Sequence, residues 1–208
     1  MIAALILTST DGLVIFMRGD LERVLFDQPA IHRRLDDIAA QISNDYRERE
    51  LTVIAVLHGS LMFVADLLRR IPLPLKLECL SVASYHGKAQ TSGEVAFNLT
   101  TASPSGGGQI VLPEVADRDV LILDDILDSG HTLAAIREML GTAEPKSIRV
   151  CVLLSKKKRR AREVHADYVG FEIEDEFVVG YGLDFRGRYR NLPYIGVLRS
   201  ELLEQPER

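Results

Sequence analysis

Cysteine is scarce in this sequence: only Cys79 and Cys151 occur among its 208 residues. Their separation fits no metal-binding spacing, which argues against a zinc centre. Both lie in apolar, strand-like segments. We therefore expect buried free thiols and a reducing, cytoplasmic location.

An excess of positive charge is also absent. The chain has 25 Lys and Arg against 30 Asp and Glu, a net charge of −5. General nucleic-acid binding needs a basic surface, so we expect no nucleic-acid partner. A local basic pocket for phosphate groups stays compatible with this composition.

No uninterrupted apolar run is long enough to suggest a membrane span. Residues 1–17 are largely apolar, but Asp11 and Gly12 interrupt them, and neither a basic segment nor a clear cleavage site accompanies them. This is a poor signal peptide, too short and broken for a good transmembrane helix, and we expect no membrane association. A hairpin that turns at Thr10-Asp11-Gly12 is the alternative. We treat 1–19 as an N-terminal extension of unknown role and 20–208 as one domain.

The sequence does have alternating strand and helix patterns. Apolar residues make up 47% and charged residues 26%, as in soluble globular domains. Strands alternating with helices predict an α/β fold: a mainly parallel sheet flanked by helices, with a small hood formed by the chain ends. Predicted strands are 51–57, 75–84, 94–99, 120–123, 148–154, 168–171 and 177–181, and predicted helices begin near Asp27, Leu61 and Leu133.

The most informative segment is 120–132. A buried strand, Val120 to Leu123, is followed by Asp124 and Asp125, by Asp128, and by the small polar loop Ser129-Gly130-His131-Thr132, which leads into a helix. Ligands of open α/β sheets bind at the carboxyl ends of strands, and loop N–H groups at a helix N-terminus suit phosphate. Carboxylates suit sugar hydroxyls, hydrated Mg²⁺ or a proton. The alternative is an ordinary acidic turn in which Asp128 or Ser129 caps the helix.

This segment resembles the motif of type I phosphoribosyltransferases that binds 5-phosphoribosyl 1-pyrophosphate (PRPP). The resemblance implies that Asp124 and Asp125 bind the ribose hydroxyls or their metal. It implies that Ser129, Gly130, His131 and Thr132 cradle the 5′-phosphate. Asp128 would be the catalytic general base, near N7 of a purine.

From about Asp20 to Leu198 the chain is similar to hypoxanthine/guanine phosphoribosyltransferases. In that family the loop corresponding to His58 and Gly59 binds pyrophosphate and often contains a non-proline cis peptide, but many members have lysine where this chain has His58. Ser84 and Tyr85 resemble a lid that closes over pyrophosphate and excludes water. Read alone, these segments are also compatible with a plain turn and a surface loop, and 100–113 is a Gly- and Ser-rich loop of unassigned role.

Two later segments resemble the purine site of the family. Lys156 would donate to O6 of the base, while the alternative is that 156–160 is a solvated basic loop. Phe177 would stack on the purine and the Val178 backbone would hydrogen-bond to it. Asp184 would coordinate Mg²⁺ bound to pyrophosphate, and Asp124 and Asp125 are further candidate metal ligands. Arg190 would contact the pyrophosphate. The alternative is a core strand with surface charges.

The resemblance implies a purine-salvage enzyme, a pentosyltransferase. It would transfer the phosphoribosyl group from PRPP to N9 of hypoxanthine or guanine, with Mg²⁺ as cofactor, giving IMP or GMP and pyrophosphate. A homo-oligomer, dimer or tetramer, is expected from the same resemblance. A xanthine-preferring enzyme is an alternative, because backbone groups near Val178 and Asp184 would read position 2 of the purine. The alternative of another class is a non-catalytic PRPP-sensing regulator. The acidic composition disfavours it, and so does an N-terminal extension that is too short for a helix-turn-helix domain.

Overall fold

The computed structural model describes residues 19–82, 97–98 and 113–205. It divides into two compact units. One unit contains the two ends of the chain, up to Ile31 and from Glu176 onward, and the other contains His32–Asp175. The predictions for 1–18, for the lid residues Ser84 and Tyr85, and for 100–112 lie outside the described residues.

The larger unit is built on a six-stranded sheet in the order β4-β3-β2-β5-β6-β7. Five strands run parallel, and the short β4 pairs antiparallel with β3 at one edge. This confirms the predicted parallel α/β fold. The strands are β2 (Leu51–Leu57), β3 (Leu75–Val82), β4 (Phe97–Asn98), β5 (Asp119–Leu127), β6 (Ser147–Lys156) and β7 (Tyr168–Ile173).

Three helices accompany this sheet: α2 (Gln28–Asp45), α3 (Leu61–Leu68) and α4 (His131–Gly141). The Asp27 carboxylate accepts a hydrogen bond from the Ala30 N–H at 2.8 Å, so it caps α2 as its sequence predicts. The predicted apolar positions of this helix are all buried: Ile31, Leu35, Ile38, Ala39, Ile42 and, just beyond it, Tyr46.

Both faces of the central strands are covered. Alternate residues of β2, β5 and β6, such as Ile54, Ile122 and Val152, pack in one cluster with the apolar side of α4. Their neighbours in sequence are equally buried, as expected for strands inside a parallel sheet. Cys151 is buried, but Cys79 is only half-buried, which corrects the prediction for that thiol. The reason is its position on β3, where Leu77 on the same face is also exposed.

The chain ends form the smaller unit. Its sheet has the order β1-β9-β8 and is antiparallel, with β1 (Leu21–Phe26), β8 (Val178–Val179) and β9 (Ile195–Leu198), and the short α5 (Ser200–Leu203) follows. Leu21, Val179, Tyr189, Leu192 and Leu198 supply its apolar core. Within the described residues, no helix is long and apolar enough to cross a membrane.

Candidate active site

The acidic segment lies at the carboxyl end of β5. The strand is longer than predicted: it runs to Leu127, so Asp124 and Asp125 are strand residues rather than part of a turn. The cause is tertiary, because β6 pairs alongside, with Asp124 opposite Val152 and Leu127 opposite Ser155. Asp124 and Asp125 are therefore held by the sheet itself, which fixes their position more firmly than a loop would.

Asp124 is a buried acid beside another acid. Its carboxylate accepts a hydrogen bond from the Asp125 N–H at 3.0 Å, and the residue is 7% exposed. Desolvation is the main reason why the pKa of Asp124 lies well above its ordinary value, and the neighbouring Asp125 raises it further. Such a pair favours a proton or a cation between its oxygens, which is how carboxylates that bind a sugar hydroxyl or a metal behave.

The loop after β5 leads into a helix that lacks a side-chain cap. Helix α4 begins at His131, and its N-cap residue is Gly130, with φ +83° and no capping side-chain hydrogen bond. The alternative in which Asp128 or Ser129 caps the helix is therefore wrong. A Cβ atom on Gly130 would collide with the Arg162 carbonyl oxygen. The first N–H groups of an α-helix have no intrahelical partner, so this end of α4 suits an anion such as phosphate.

A second loop meets these acids. The Leu57–His58 peptide bond is cis, and the next residue, Gly59, lies so close to Asp125 that a Cβ atom there would overlap the Asp125 carboxylate. His58 itself is exposed. The larger unit thus brings the predicted pyrophosphate loop next to the predicted ribose-binding acids.

Asp128 faces two lysines. Its Oδ2 lies 3.2 Å from the Lys156 ammonium, and its Oδ1 lies 2.5 Å from the Lys158 ammonium. Lys156 is buried and also donates to Asp175 at 3.0 Å. The sequence predicts a site role for Lys156 within the basic run 156–160, and the structure places this lysine beside Asp128 and buries it.

Lys158 and Asp175 were missed by the sequence analysis. Lys158 contacts Asp128 and Asp175, whereas Lys157 pairs with Glu174 at 3.6 Å. Lys156 and Lys158 lie two residues apart, but a turn closed by the Lys158 N–H and the Lys156 carbonyl, and not an extended strand, brings them to the same two acids. Nothing in the run of basic residues distinguishes Lys158 from its neighbours.

The smaller unit contains Phe177 and Val178, two residues of the predicted purine site. Phe177 is 41% exposed, and its ring meets the edge of Phe185 at a centroid distance of 5.4 Å and an interplanar angle of 82°. Val178 begins β8, so the predicted strand 177–181 is shorter in the structure. The chain then turns sharply, with positive φ at Gly180, Tyr181 and Gly182. This turn leads to Asp184.

Asp184 and Arg190 form a pair within this unit. The Arg190 guanidinium lies 2.7 Å from Asp184 Oδ1 and also donates to the Gly182 carbonyl at 2.7 Å. The Gly187 N–H donates to Asp184 Oδ2 at 2.8 Å. Each carboxylate oxygen keeps a further acceptor site, so Asp184 can still bind a cation.

The donor set fits Mg²⁺ better than a metal that needs a protein cage. In the part of the chain that the structure describes, no group of three or more His, Cys, Asp or Glu side chains is placed to hold an ion. Mg²⁺ is commonly bound by one or two carboxylates together with substrate phosphates and water. Asp124 and Asp125 in the larger unit, and Asp184 in the smaller unit, are each suited to that kind of binding.

Known proteins are similar to this chain over most of its length. The family model for the phosphoribosyl transferase domain matches residues 24–186. A hypoxanthine-guanine phosphoribosyltransferase of Staphylococcus epidermidis is 41% identical over 186 residues, which is 89% of this chain and 98% of that protein.

Solved structures are also similar to this chain in fold and sequence. A hypoxanthine phosphoribosyltransferase of Staphylococcus aureus is 39% identical, with a TM-score of 0.81 over 91% of this chain and 98% of that one. A variant of the Trypanosoma cruzi enzyme in a ternary substrates complex is 35% identical, with a TM-score of 0.77 over 89% of this chain and 99% of that one. Together with the strand-end acids and the uncapped helix, these matches show that the chain belongs to the phosphoribosyltransferase family, among the hypoxanthine-guanine phosphoribosyltransferases.

Proposed function

We propose that this enzyme transfers the 5-phosphoribosyl group of PRPP to N9 of hypoxanthine or guanine. The products are IMP or GMP and pyrophosphate, so the enzyme acts in purine salvage. The observation that most supports this is the arrangement at the end of β5. There, two sheet-held acids, an uncapped helix N-terminus and a lysine-paired aspartate follow one another within 124–132.

The phosphoribosyl end of PRPP is assigned to the larger unit. Asp124 and Asp125 bind the ribose hydroxyls. Ser129, Gly130, His131 and Thr132 hold the 5′-phosphate through their N–H and hydroxyl groups at the start of α4. This assignment is supported by the N-terminus of α4, where no side-chain cap accepts a hydrogen bond from the first backbone N–H groups.

Pyrophosphate is assigned to groups from several segments. His58 and Gly59 offer backbone N–H groups, and Arg190 offers a guanidinium that already lies against Asp184. Ser84 and Tyr85 keep their proposed role as a lid, which rests on the family resemblance. Asp184 in the smaller unit, and Asp124 and Asp125 in the larger unit, are the residues that would hold Mg²⁺, and the bound ion would neutralise charge on the pyrophosphate.

The purine is assigned to Lys156, Phe177 and Val178. Phe177 presents an exposed aromatic ring that suits a flat heterocycle, and Val178 offers its backbone. Lys156 has N–H donors and no acceptor, so it favours an oxygen at position 6 over the amine of adenine.

The reaction is a substitution at C1 of the ribose. The bond from C1 to pyrophosphate breaks, the bond from C1 to N9 forms, and the transition state has oxocarbenium character, as in glycoside chemistry. The purine loses one proton, and Asp128 accepts it. Asp128 suits this role because it is an ionised carboxylate beside Lys156, the residue that would bind the neighbouring O6.

We also propose a homo-oligomer in the cytoplasm. Exposed apolar side chains on α3 and β3, namely Leu61, Met62 and Leu77, support self-association. The two free cysteines support a reducing compartment. Light scattering of the purified protein measures the oligomeric state directly.

The proposed reaction is tested by assaying PRPP and Mg²⁺ with hypoxanthine, guanine, xanthine and adenine in parallel. We expect turnover of hypoxanthine or guanine, with adenine inert. Turnover of xanthine well above both would replace the substrate assignment. Binding of PRPP without turnover of any base would favour a PRPP sensor instead.

A further inference from the structure

Four charged side chains form a closed cluster that includes Asp128, the proposed proton acceptor. The Lys156 ammonium lies 3.2 Å from the Asp128 carboxylate and 3.0 Å from that of Asp175. The Lys158 ammonium lies 2.5 Å from Asp128 and 3.0 Å from Asp175. Each lysine therefore contacts both acids, and the cluster as a whole is neutral.

The two lysines differ in burial. The Lys156 side chain is 10% exposed, and such a cation needs fixed partners to offset its lost hydration. The Lys158 side chain is 29% exposed and keeps contact with water. Lys156 is thus fixed within the site, while Lys158 reaches the same two carboxylates from the solvent side.

Local backbone structure brings the two lysines to one side of the chain. The Lys157 N–H donates to the Ile173 carbonyl at 2.8 Å, which continues the pairing of β6 with β7. The Lys158 N–H donates to the Lys156 carbonyl at 3.0 Å, which closes a three-residue turn. Lys157 points elsewhere and pairs with Glu174.

Lys158 is the closer of the two cations to Asp128. It contacts Oδ1, while Lys156 contacts Oδ2, so both carboxylate oxygens are engaged. An acid that takes up a proton loses its attraction to a neighbouring ammonium. Each lysine therefore makes Asp128 a weaker base than an isolated aspartate.

We propose that Lys158 is a positioning residue of the transfer reaction, which, together with Asp175, sets how strongly Asp128 holds the purine proton. This inference rests on the proposed role of Asp128 as proton acceptor. In the proposed function Lys156 binds the purine, so Lys158 is the lysine of the cluster that is left to tune Asp128. Weak retention of the proton favours its release to water after the product has formed.

The electrostatics of the cluster agree with this role. Partial burial is the largest single influence on Asp128 and raises its pKa, but the hydrogen bonds and charges of Lys158 and Lys156 together outweigh it, so the pKa lies below the ordinary value. The hydrogen bonds to Asp128 and then Asp175 raise the pKa of Lys158. The charged groups around Asp128 are Lys156 and Lys158 after β6, Asp175 beyond β7, and Asp124 and Asp125 on the preceding strand.

The test is a carbon-13 NMR titration of aspartate carboxyl groups in the full-length protein. The signal that disappears in Asp128→Asn identifies Asp128. The titration is repeated in Lys158→Met, which keeps the length and removes the charge, and in Lys157→Met as the matched control. Lys157 is an exposed lysine of the same run that pairs with Glu174 alone among the described contacts.

The expected result is that the Asp128 midpoint moves to higher pH by roughly half a pH unit or more in Lys158→Met, and stays in place in Lys157→Met. Lys158→Arg restores the wild-type midpoint. An unmoved midpoint in Lys158→Met would overturn the inference. An equal movement in both methionine variants would overturn it too, because loss of general positive charge would then explain the effect.

A kinetic readout completes the test. The acid side of the pH profile of kcat for hypoxanthine moves to higher pH in Lys158→Met and not in Lys157→Met. An identical profile in both variants would contradict a role in the reaction. The NMR titration needs no turnover, so a failure of the proposed function, seen as wild-type protein without activity, is distinguishable from a failure of this inference.

Discussion

Two acidic positions on one stretch of chain differ sharply in their surroundings. Asp124 is buried in β5 next to Asp125, and its pKa is raised, mainly by desolvation. Asp128 is 41% exposed and faces Lys156 and Lys158, and its pKa is lowered, because the lysines outweigh its partial burial. An acid that favours a proton or cation and an acid that stays ionised are therefore only four positions apart in the sequence.

The comparison indicates a division of labour. A buried carboxylate without a partner is unfavourable, so Asp124 is suited to a ligand that supplies hydroxyl groups or a cation. An ionised acid beside a lysine is suited to accept a proton during the reaction. One class of side chain thus serves both tasks, and the protein environment assigns them.

The largest expected effect is that of Asp128→Asn. Turnover should fall by roughly 10²–10⁴-fold, the usual scale for loss of a general base, while the fold stays intact. Steady-state kinetics and a thermal melt measure the two properties. Glu174→Gln, a neighbouring exposed carboxylate, is the control and should retain turnover. Near-wild-type turnover in Asp128→Asn would remove this residue from the base role.

Gly59→Ala should disturb the buried pair of acids, Asp124 and Asp125. The added Cβ overlaps the Asp125 carboxylate, so one of the two must move. A displacement of this size at a substrate-positioning group costs about 10²-fold in kcat/KM for PRPP. Gly141→Ala is the matched control, because a Cβ there meets nothing within 4 Å. Equal kinetics in both variants would show that the approach of Asp125 to Gly59 is unimportant.

Phe177→Leu should affect the purine and not PRPP. The variant loses an exposed aromatic ring that is oriented by Phe185. Stacking of a base on an aromatic ring contributes about 1–3 kcal/mol, so KM for hypoxanthine should rise about tenfold or more. KM for PRPP is the internal control. A rise in KM for PRPP alone would contradict the assignment of Phe177 to the purine.

Asp124→Asn should stabilise the fold at neutral pH. Folding raises the pKa of Asp124 above its value in the unfolded chain, which is about 4. The protonated acid therefore contributes its full share to stability below pH 4, and this contribution is lost as the pH rises through the pKa of the folded state. At neutral pH the raised pKa of this buried acid therefore lowers the stability of the fold, and an amide removes that cost while it still accepts the Asp125 N–H.

We expect a gain of about 1 kcal/mol or more in the free energy of unfolding at neutral pH, since one pKa unit corresponds to about 1.4 kcal/mol. Denaturant melts at several pH values measure it, and the difference from wild type should shrink as the pH falls toward 4. A difference that is constant with pH would contradict the assignment of a raised pKa to Asp124.

Much of this architecture is predictable from the sequence. Continuous apolar runs mark β2 and β5, and helical spacing marks the buried face of α2. The acids and the small polar loop follow β5 closely enough for their motif to be recognised. These features are local, so a short window of sequence contains them.

Other features depend on distant pairing. The extension of β5 through Asp124 requires β6 as a neighbour. Strands β1 and β9 come from opposite ends of the chain, with Arg23 opposite Val197, and neither was predicted as a strand. Lys158 was overlooked because only the fold brings Asp128 and Asp175 to it.

The most direct test of this division of labour is a calorimetric titration of PRPP with Mg²⁺ into Asp128→Asn. The account predicts an affinity close to that of the wild type, because PRPP is bound by Asp124, Asp125 and the start of α4, and the loss in this variant falls on turnover alone. Loss of PRPP binding in Asp128→Asn, with its fold intact, would contradict the account and make Asp128 a binding residue.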